Sequence, residues 1–308
     1  MAFQKWQRKN YSVFNSIGKV IKIGALCFSY SLIMLTKPNF AQEDTLSIWK
    51  NLDMEEVVVS AQRSPVVYSK LSRIVNTLSE EELTLMPVTS VQDALSYSSG
   101  MDLRQRGPLG VQADLSIRGG SSNQNLILLN GIDITDPQTG HFALNVPVNL
   151  SDAKEIEILK GPGSRIFGPN AFKGAVNIIT HPADTNQIDI RIMGGEHNLY
   201  ETTLNANLSH DLYRQYISLS RRGSDGYSLN KDFNISNLFY QGLIDLKNTQ
   251  LNFQTGYKNK VFGAQSFYTP EYPFQFEENN IYFASLSAST GNVFTIEPAV
   301  YFRRHKDR

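Results

Sequence analysis

From residue 183 onward the chain alternates apolar and polar side chains with a period of two, and that pattern restricts this region to extended β structure. Ile188, Ile190 and Ile192 alternate with Asp189 and Arg191, while Thr202, Leu204, Ala206 and Leu208 alternate with Glu201, Thr203, Asn205, Asn207 and Ser209. A strand sends successive side chains to opposite faces, so one face is apolar and the other polar. The pattern continues over 213–222, 238–246, 251–257, 281–288 and 294–302, which makes about seven strands. A soluble β-sandwich alternates in the same way. Two features favour lipid: strand lengths near the roughly 9 to 11 residues of a tilted membrane strand, and polar faces suited to a wet barrel interior. Tyr240, Tyr257, Tyr282 and Phe302 fall where interface aromatics sit, and equally where core aromatics would. The stretch 258–280 reads as one long loop carrying Phe262, Phe267, Tyr268, Tyr272, Phe274 and Phe276, suited to an outward face that meets a ligand.

Composition acts mainly by exclusion. The 308 residues hold 29 basic and 29 acidic side chains, so there is no basic excess to neutralise phosphates and no nucleic-acid partner is expected. A mean hydropathy of −0.28 leaves no room for a bundle of membrane helices. The amino terminus, residues 1–41, reads as an export signal. Lys5, Arg8, Lys9, Lys19 and Lys22 precede an apolar run from Ile23 to Leu35, and Ala41 offers a cleavage point before Gln42. Cys27 lies inside that signal, so the mature chain contains no cysteine and no disulfide.

Residues 42–65 form a polar lead-in that holds the β-branched run Glu55-Glu56-Val57-Val58-Val59-Ser60-Ala61. Residues 66–182 mix short helices and strands in one compact α+β domain. Ser79 with Glu82, and Thr89 with Gln92, have capping-box spacing and predict two short helices. Asn130-Gly131 between Leu126–Leu129 and Ile132–Ile134 predicts a tight hairpin, and 155–159 and 175–180 supply further strands.

Enzyme chemistry finds no residues to carry it. Gly163 and Gly168 have P-loop spacing, but Pro169 and Asn170 stand where lysine and a hydroxyl would hold phosphate and magnesium. His141, His181, His197, His210 and His305 show no metal-ligand spacing and read as surface or barrel-wall residues, so no metal and no cofactor are expected. Asp133 and Asp136 lack the glycine of a calcium loop, and no Gly-x-Ser-x-Gly elbow is present.

Three blocks carry a resemblance: Ser116-Ile117-Arg118-Gly119-Gly120, Leu128-Leu129-Asn130-Gly131-Ile132, and 156–168 leading to Gly174-Ala175-Val176-Asn177-Ile178-Ile179-Thr180. In order and spacing they resemble the plug of TonB-dependent outer-membrane receptors, closest to the cobalamin and siderophore branch. Residues 54–61 resemble the TonB box, and 183–308 resemble the opening strands of the transmembrane barrel. The resemblance implies a plug domain followed by an antiparallel barrel in the outer membrane of a Gram-negative bacterium. It also implies uptake of a scarce, large nutrient, cobalamin first and a ferric siderophore second, energised by the TonB protein of the inner-membrane complex.

By the same resemblance Glu55, Glu56, Val57, Val58, Val59, Ser60 and Ala61 bind TonB. Arg104, Arg106, Gln138, His141 and Phe142 on the apical plug loops contact ligand, and Arg118, Glu155, Glu157 and Arg165 are candidates for plug–barrel ion pairs. A plugged barrel of this kind needs about 22 strands, so seven predict a piece, or a truncated reading frame, of a longer receptor. Two other readings stay open: a receptor of the glycan-importing type, and a surface β protein or receptor remnant that binds a ligand without moving it.

Overall fold

The computed structural model describes residues 58–59, 66–67, 74–136, 138–291 and 294–308. The expected export signal lies outside the described residues, and of the expected TonB box only Val58 and Val59 lie within them. Those two form β1 (Val58–Val59), which pairs antiparallel with β2 (Val66–Val67).

The plug opens with β3 (Val75–Ser79) and two short helices, α1 (Glu80–Leu85) and α2 (Val91–Ser96). Ser79 and Glu82 close the predicted capping box, the Ser79 hydroxyl accepting from the Glu82 amide at 3.3 Å and the Glu82 carboxylate accepting from the Ser79 amide at 2.9 Å. The second cap differs from the sequence expectation. Ser90, not Thr89, is the cap, accepting from the Asp93 amide at 3.1 Å. Gln92 is buried in the domain and is therefore not free to reach back to the chain.

A separate hairpin follows, β4 (Met101–Gly107) with β5 (Gln112–Ile117). The remaining strands are β6 (Asn125–Leu129), β7 (Ile132–Asp133), β8 (Glu155–Lys160) and, after the one-turn helix α3 (Ser164–Phe167), β9 (Gly174–Ile179). They form one sheet with β3 in the order β3-β8-β9-β6-β7, with only β6 and β9 parallel. Every residue of β6 is buried, which explains its unbroken apolar run Leu126–Leu129. Asn130 and Gly131 take φ values of 50° and 78° at the β6–β7 turn, the left-handed pair that matches strand twist.

Seven long strands complete the chain: β10 (Gln187–Gly194), β11 (Tyr200–His210), β12 (Tyr213–Ser224), β13 (Phe233–Leu246), β14 (Thr249–Gln265), β15 (Phe274–Thr290) and β16 (Ala299–Asp307). Each pairs antiparallel with the next in chain order, and the sheet is not closed. Among the described residues no helix is long and apolar enough to cross a membrane. The sheet's outward face carries instead a continuous rung, Ile190, Leu204, Leu219, Leu238, Tyr257 and Tyr282, paired strand to strand. Exposed apolar surface of that extent is what a lipid-facing wall presents.

Two sequence expectations need correction. Residues 258–280 are not a loop: β14 and β15 stay in register from Thr249–Thr290 to Gln265–Phe274, leaving only 266–273 as the connection. The apolar alternation is interrupted there because Asn259 and Asn280 stand on the outward face while Phe262 and Ala264 face inward and are buried near Val111 of the plug. The last strand starts at Ala299 rather than Phe294, which is exposed beyond the strand. Connections at one end of the sheet are 211–212, 247–248 and 291–298, while 195–199, 225–232 and 266–273 lie at the other. The two-residue turns all fall at the first end, as at the inner rim of a membrane barrel, which assigns the other end to the outer face.

The plug packs against the polar inner face of this sheet. One apolar cluster joins Leu95, Ile117, Ile127 and Ile156 of the plug to Tyr216, Phe239 and Phe283 of the sheet. A second joins Val111 at the tip of the β4–β5 hairpin to Phe233, Ile235, Phe262 and Phe267.

Candidate functional site

The outer end of the plug and the 266–273 loop meet at Asp114. Arg106 donates to one oxygen of Asp114 through Nε at 2.9 Å and Nη2 at 2.8 Å, and His141 holds the other oxygen through Nδ1 at 2.6 Å. A carboxylate oxygen accepts only, so the His141 Nδ1 is the donor in this bond. Arg106 also donates through Nη1 to the carbonyl of Phe267, and its guanidinium lies 5.5 Å from the centre of the Tyr268 ring. Tyr268 in turn accepts from Gln112 at 3.1 Å and meets the His141 ring edge-on at 6.1 Å. Burial and then the neighbouring Glu277 carboxylate hold the Tyr268 hydroxyl above the ordinary phenol range.

Local chemistry places His141. The Asp136 carboxylate accepts from the amides of Gln138 at 2.8 Å and Thr139 at 3.2 Å, closing a turn that leads into one 3₁₀ turn over Gly140–Phe142. Gly140 is required there, since a Cβ at this position would stand 2.3 Å from Asn123 Oδ1 and 2.8 Å from the Asn123 backbone nitrogen. His141 thus reaches the surface with 42% of its side chain exposed, while Phe142 is buried against the His305 ring, 5.2 Å away.

The other expected site residues are placed as follows. Gln138 borders a cavity of about 280 Å³ with Asp133, Thr135, Tyr301 and Arg303. Arg104 is exposed on β4, where it is the direct cross-strand partner of Asp114. Arg118 and Arg165 are both exposed and neither forms an ion pair among the described residues with the sheet. Glu157 is buried and accepts from Asn177 at 2.9 Å; beside it, burial and the Glu157 charge push the Glu155 carboxyl up to about 7.

Polar contacts between plug and sheet come from residues the sequence did not single out for this role. Asp136 pairs with Arg303 at 3.4 Å and with His305. Burial alone would raise the Asp136 carboxyl, but the His305 bond, the Gln138 amide and the His305 and Arg303 charges hold it at about 2. Arg222 donates to the carbonyls of Leu109 at 3.0 Å and Thr89 at 2.8 Å. Lys258 donates to Val146 at 3.0 Å, and Lys260, fully enclosed, reaches Val111 and Asn145. Tyr216 donates at 2.7 Å to Asp152, whose carboxyl is raised by burial. Asn130 bonds Gln254 at 2.9 Å and Thr180 bonds Gln241 at 2.7 Å. The single available sequence signal was the polar face of the alternating strands, which marks a wet or polar partner without naming it.

Comparison with known proteins agrees with this architecture. Residues 69–175 match the family described as TonB-dependent Receptor Plug Domain. Over 140 residues the chain is 29% identical to the vitamin B12 transporter BtuB of Vibrio vulnificus strain CMCP6, a match covering 46% of this chain and 23% of that one. Against the BtuB of strain YJ016 it is 25% identical over 180 residues, covering 58% of this chain and 29% of the relative. The chain therefore spans less than a third of the length of these curated relatives. The solved alcaligin outer-membrane receptor FauA of Bordetella pertussis superposes with a TM-score of 0.65 at 11% identity, over 82% of this chain and 42% of that one, a likeness of fold.

Proposed function

We infer that this chain, which belongs to the TonB-dependent receptors, serves in the outer membrane to capture a scarce, large nutrient and admit it with energy drawn through TonB. The nutrient class we assign first is cobalamin, with ferric siderophores second. The observation that carries the reading is the Asp114 cluster. It joins plug residues Arg106 and His141 to Tyr268 of an outer sheet loop, so a ligand resting there touches both the stopper and the wall. The relatives named as vitamin B12 transporters support the choice of ligand.

For the energy-coupling handle we assign Glu55–Ala61. An extended segment presents main-chain donors and acceptors that add as a strand to a partner's sheet edge. Val58 and Val59 already take part in a two-residue strand pair, in keeping with that use. Arg222, Lys258 and Lys260 then act as holding points, since each donates from the wall to a plug carbonyl that must be released if the plug shifts. The test is uptake of radiolabelled cobalamin and of a ferric siderophore by cells that produce the protein, with and without a protonophore. Accumulation that collapses with the proton gradient supports the reading. Accumulation that ignores the gradient, or surface binding with no accumulation, contradicts it.

A further inference from the structure

We propose that the cavity between plug and wall beside Lys258 and Arg222 binds one small monovalent anion of the chloride type, and that the bound anion is part of the contact holding the plug to the wall. Such a site belongs to the packing of plug against sheet, so it goes beyond the transport reading and stands or falls apart from it.

The cavity, about 50 Å³, has room for one or a few water-sized occupants. Thr89, Val146 and Asn149 line it from the plug, and Glu201, Arg222 and Lys258 from the wall. Two cations therefore face one carboxylate, and the lining carries one positive charge in excess. Glu201 is already taken by Arg222, Nη2 to Oε1 at 2.8 Å, with the two side chains only 12% and 13% exposed. Asp152, whose charge Lys258 also feels, lies off the lining and gives its oxygens to the Asn149 amide at 2.6 Å and the Tyr216 hydroxyl at 2.7 Å. Enclosed charge is costly unless compensated. Water can fill the space but leaves the excess charge unbalanced, whereas an anion of one charge balances it.

Donors for that anion are in place. An ammonium carries three N–H donors, and Lys258 Nζ commits one, to the Val146 carbonyl at 3.0 Å. Arg222 commits three of its five, to the Leu109 and Thr89 carbonyls and to Glu201. The buried Thr89 hydroxyl on the same lining has no partner among the described residues. Arg222 and Lys258 also stand close enough to repel one another, and between them they hold the plug at Thr89, Leu109 and Val146. An anion set between the two cations offsets that repulsion and strengthens all three ties.

The experiment uses the full chain in detergent, with sodium gluconate, whose anion is too large for the cavity, replaced by sodium chloride at constant ionic strength. Amide hydrogen exchange is read over 89–92, 109–112 and 145–149. Chloride is expected to slow exchange there, by about 10-fold at about ten times its half-saturating concentration. Crystals grown with bromide in place of chloride are expected to show one anomalous-scattering peak between Lys258 and Arg222. In Lys258→Met and Lys258→Gln the chloride effect should disappear. Equal exchange in chloride and gluconate, bromide crystals with water alone in the cavity, or a full chloride effect in both Lys258 variants would each overturn the proposal. The first two readings come from the unmodified chain, so a variant that fails to fold does not shield it.

Discussion

Asp136 of the plug and His305 of β16 are hydrogen-bonded through Oδ2 and Nδ1, and Arg303 stands 3.4 Å from the same oxygen. The Asp136 side chain is fully buried, so one carboxylate compensates a buried guanidinium and fixes the 133–142 segment against the wall. Asp136→Asn leaves Arg303 uncompensated and is expected to destabilise the plug by about 3 kcal/mol. Chemical denaturation followed by hydrogen exchange at 134–142 measures it. The same carboxyl sets a pH limit. Its folded pKa, about 2, lies below the ordinary 3.8, so its stabilisation is fully present above about pH 4 and is lost as pH falls toward 2.

Glu155 works in the opposite direction. Its folded pKa of about 7 exceeds the ordinary 4.5, so the folded state binds the extra proton between those values and stability declines as pH rises through that window. Glu155→Gln should remove this dependence and stabilise the plug above pH 7 by roughly 2 kcal/mol, with little effect below pH 4.5. Denaturant midpoints at pH 4, 6 and 8 read the difference. An unchanged slope in the variant would assign the dependence to another group.

Gly140→Ala tests how the His141 turn is held. The added methyl meets Asn123 and Ser122 at 2.3 to 2.8 Å, so the turn must shift. The expected cost is about 1 to 3 kcal/mol, with a fall in ligand affinity, because the His141–Asp114 bond is misaligned. Isothermal titration against cobalamin checks the second part.

Ser90→Ala should cost about 1 kcal/mol and Thr89→Ala clearly less, since only Ser90 accepts from the α2 amide. Thermal unfolding of the two variants ranks them.

Local codes were legible in the sequence and longer-range ones were not. Asn130-Gly131 specifies its hairpin through two left-handed residues, and Ser79 with Glu82 specifies a helix start, because each signal is complete within four residues. The second cap was misplaced by one residue because the burial of Gln92 is a tertiary fact. The seven-strand sheet is visible as alternation, yet the pattern fails within β14 and β15, where Asn259 and Asn280 take the outward face and Phe262 turns inward. Lys258 and Lys260 are tolerated there only because plug carbonyls and Asn145 receive them. In the site, Arg106 and His141 are legible as residues able to touch a ligand, although Arg106 lies on β4 rather than in a loop. Asp114, which joins them, and Tyr268, 127 residues beyond His141 in the chain, are brought together by folding alone.

The most direct test of energy-coupled uptake is a proline at the centre of the expected TonB box, Val58→Pro, in cells that produce the protein. Proline removes a main-chain donor from any added strand while leaving the outer site untouched. The account predicts that labelled cobalamin still binds to the cell surface and no longer accumulates inside. Accumulation at the unmodified rate would contradict it.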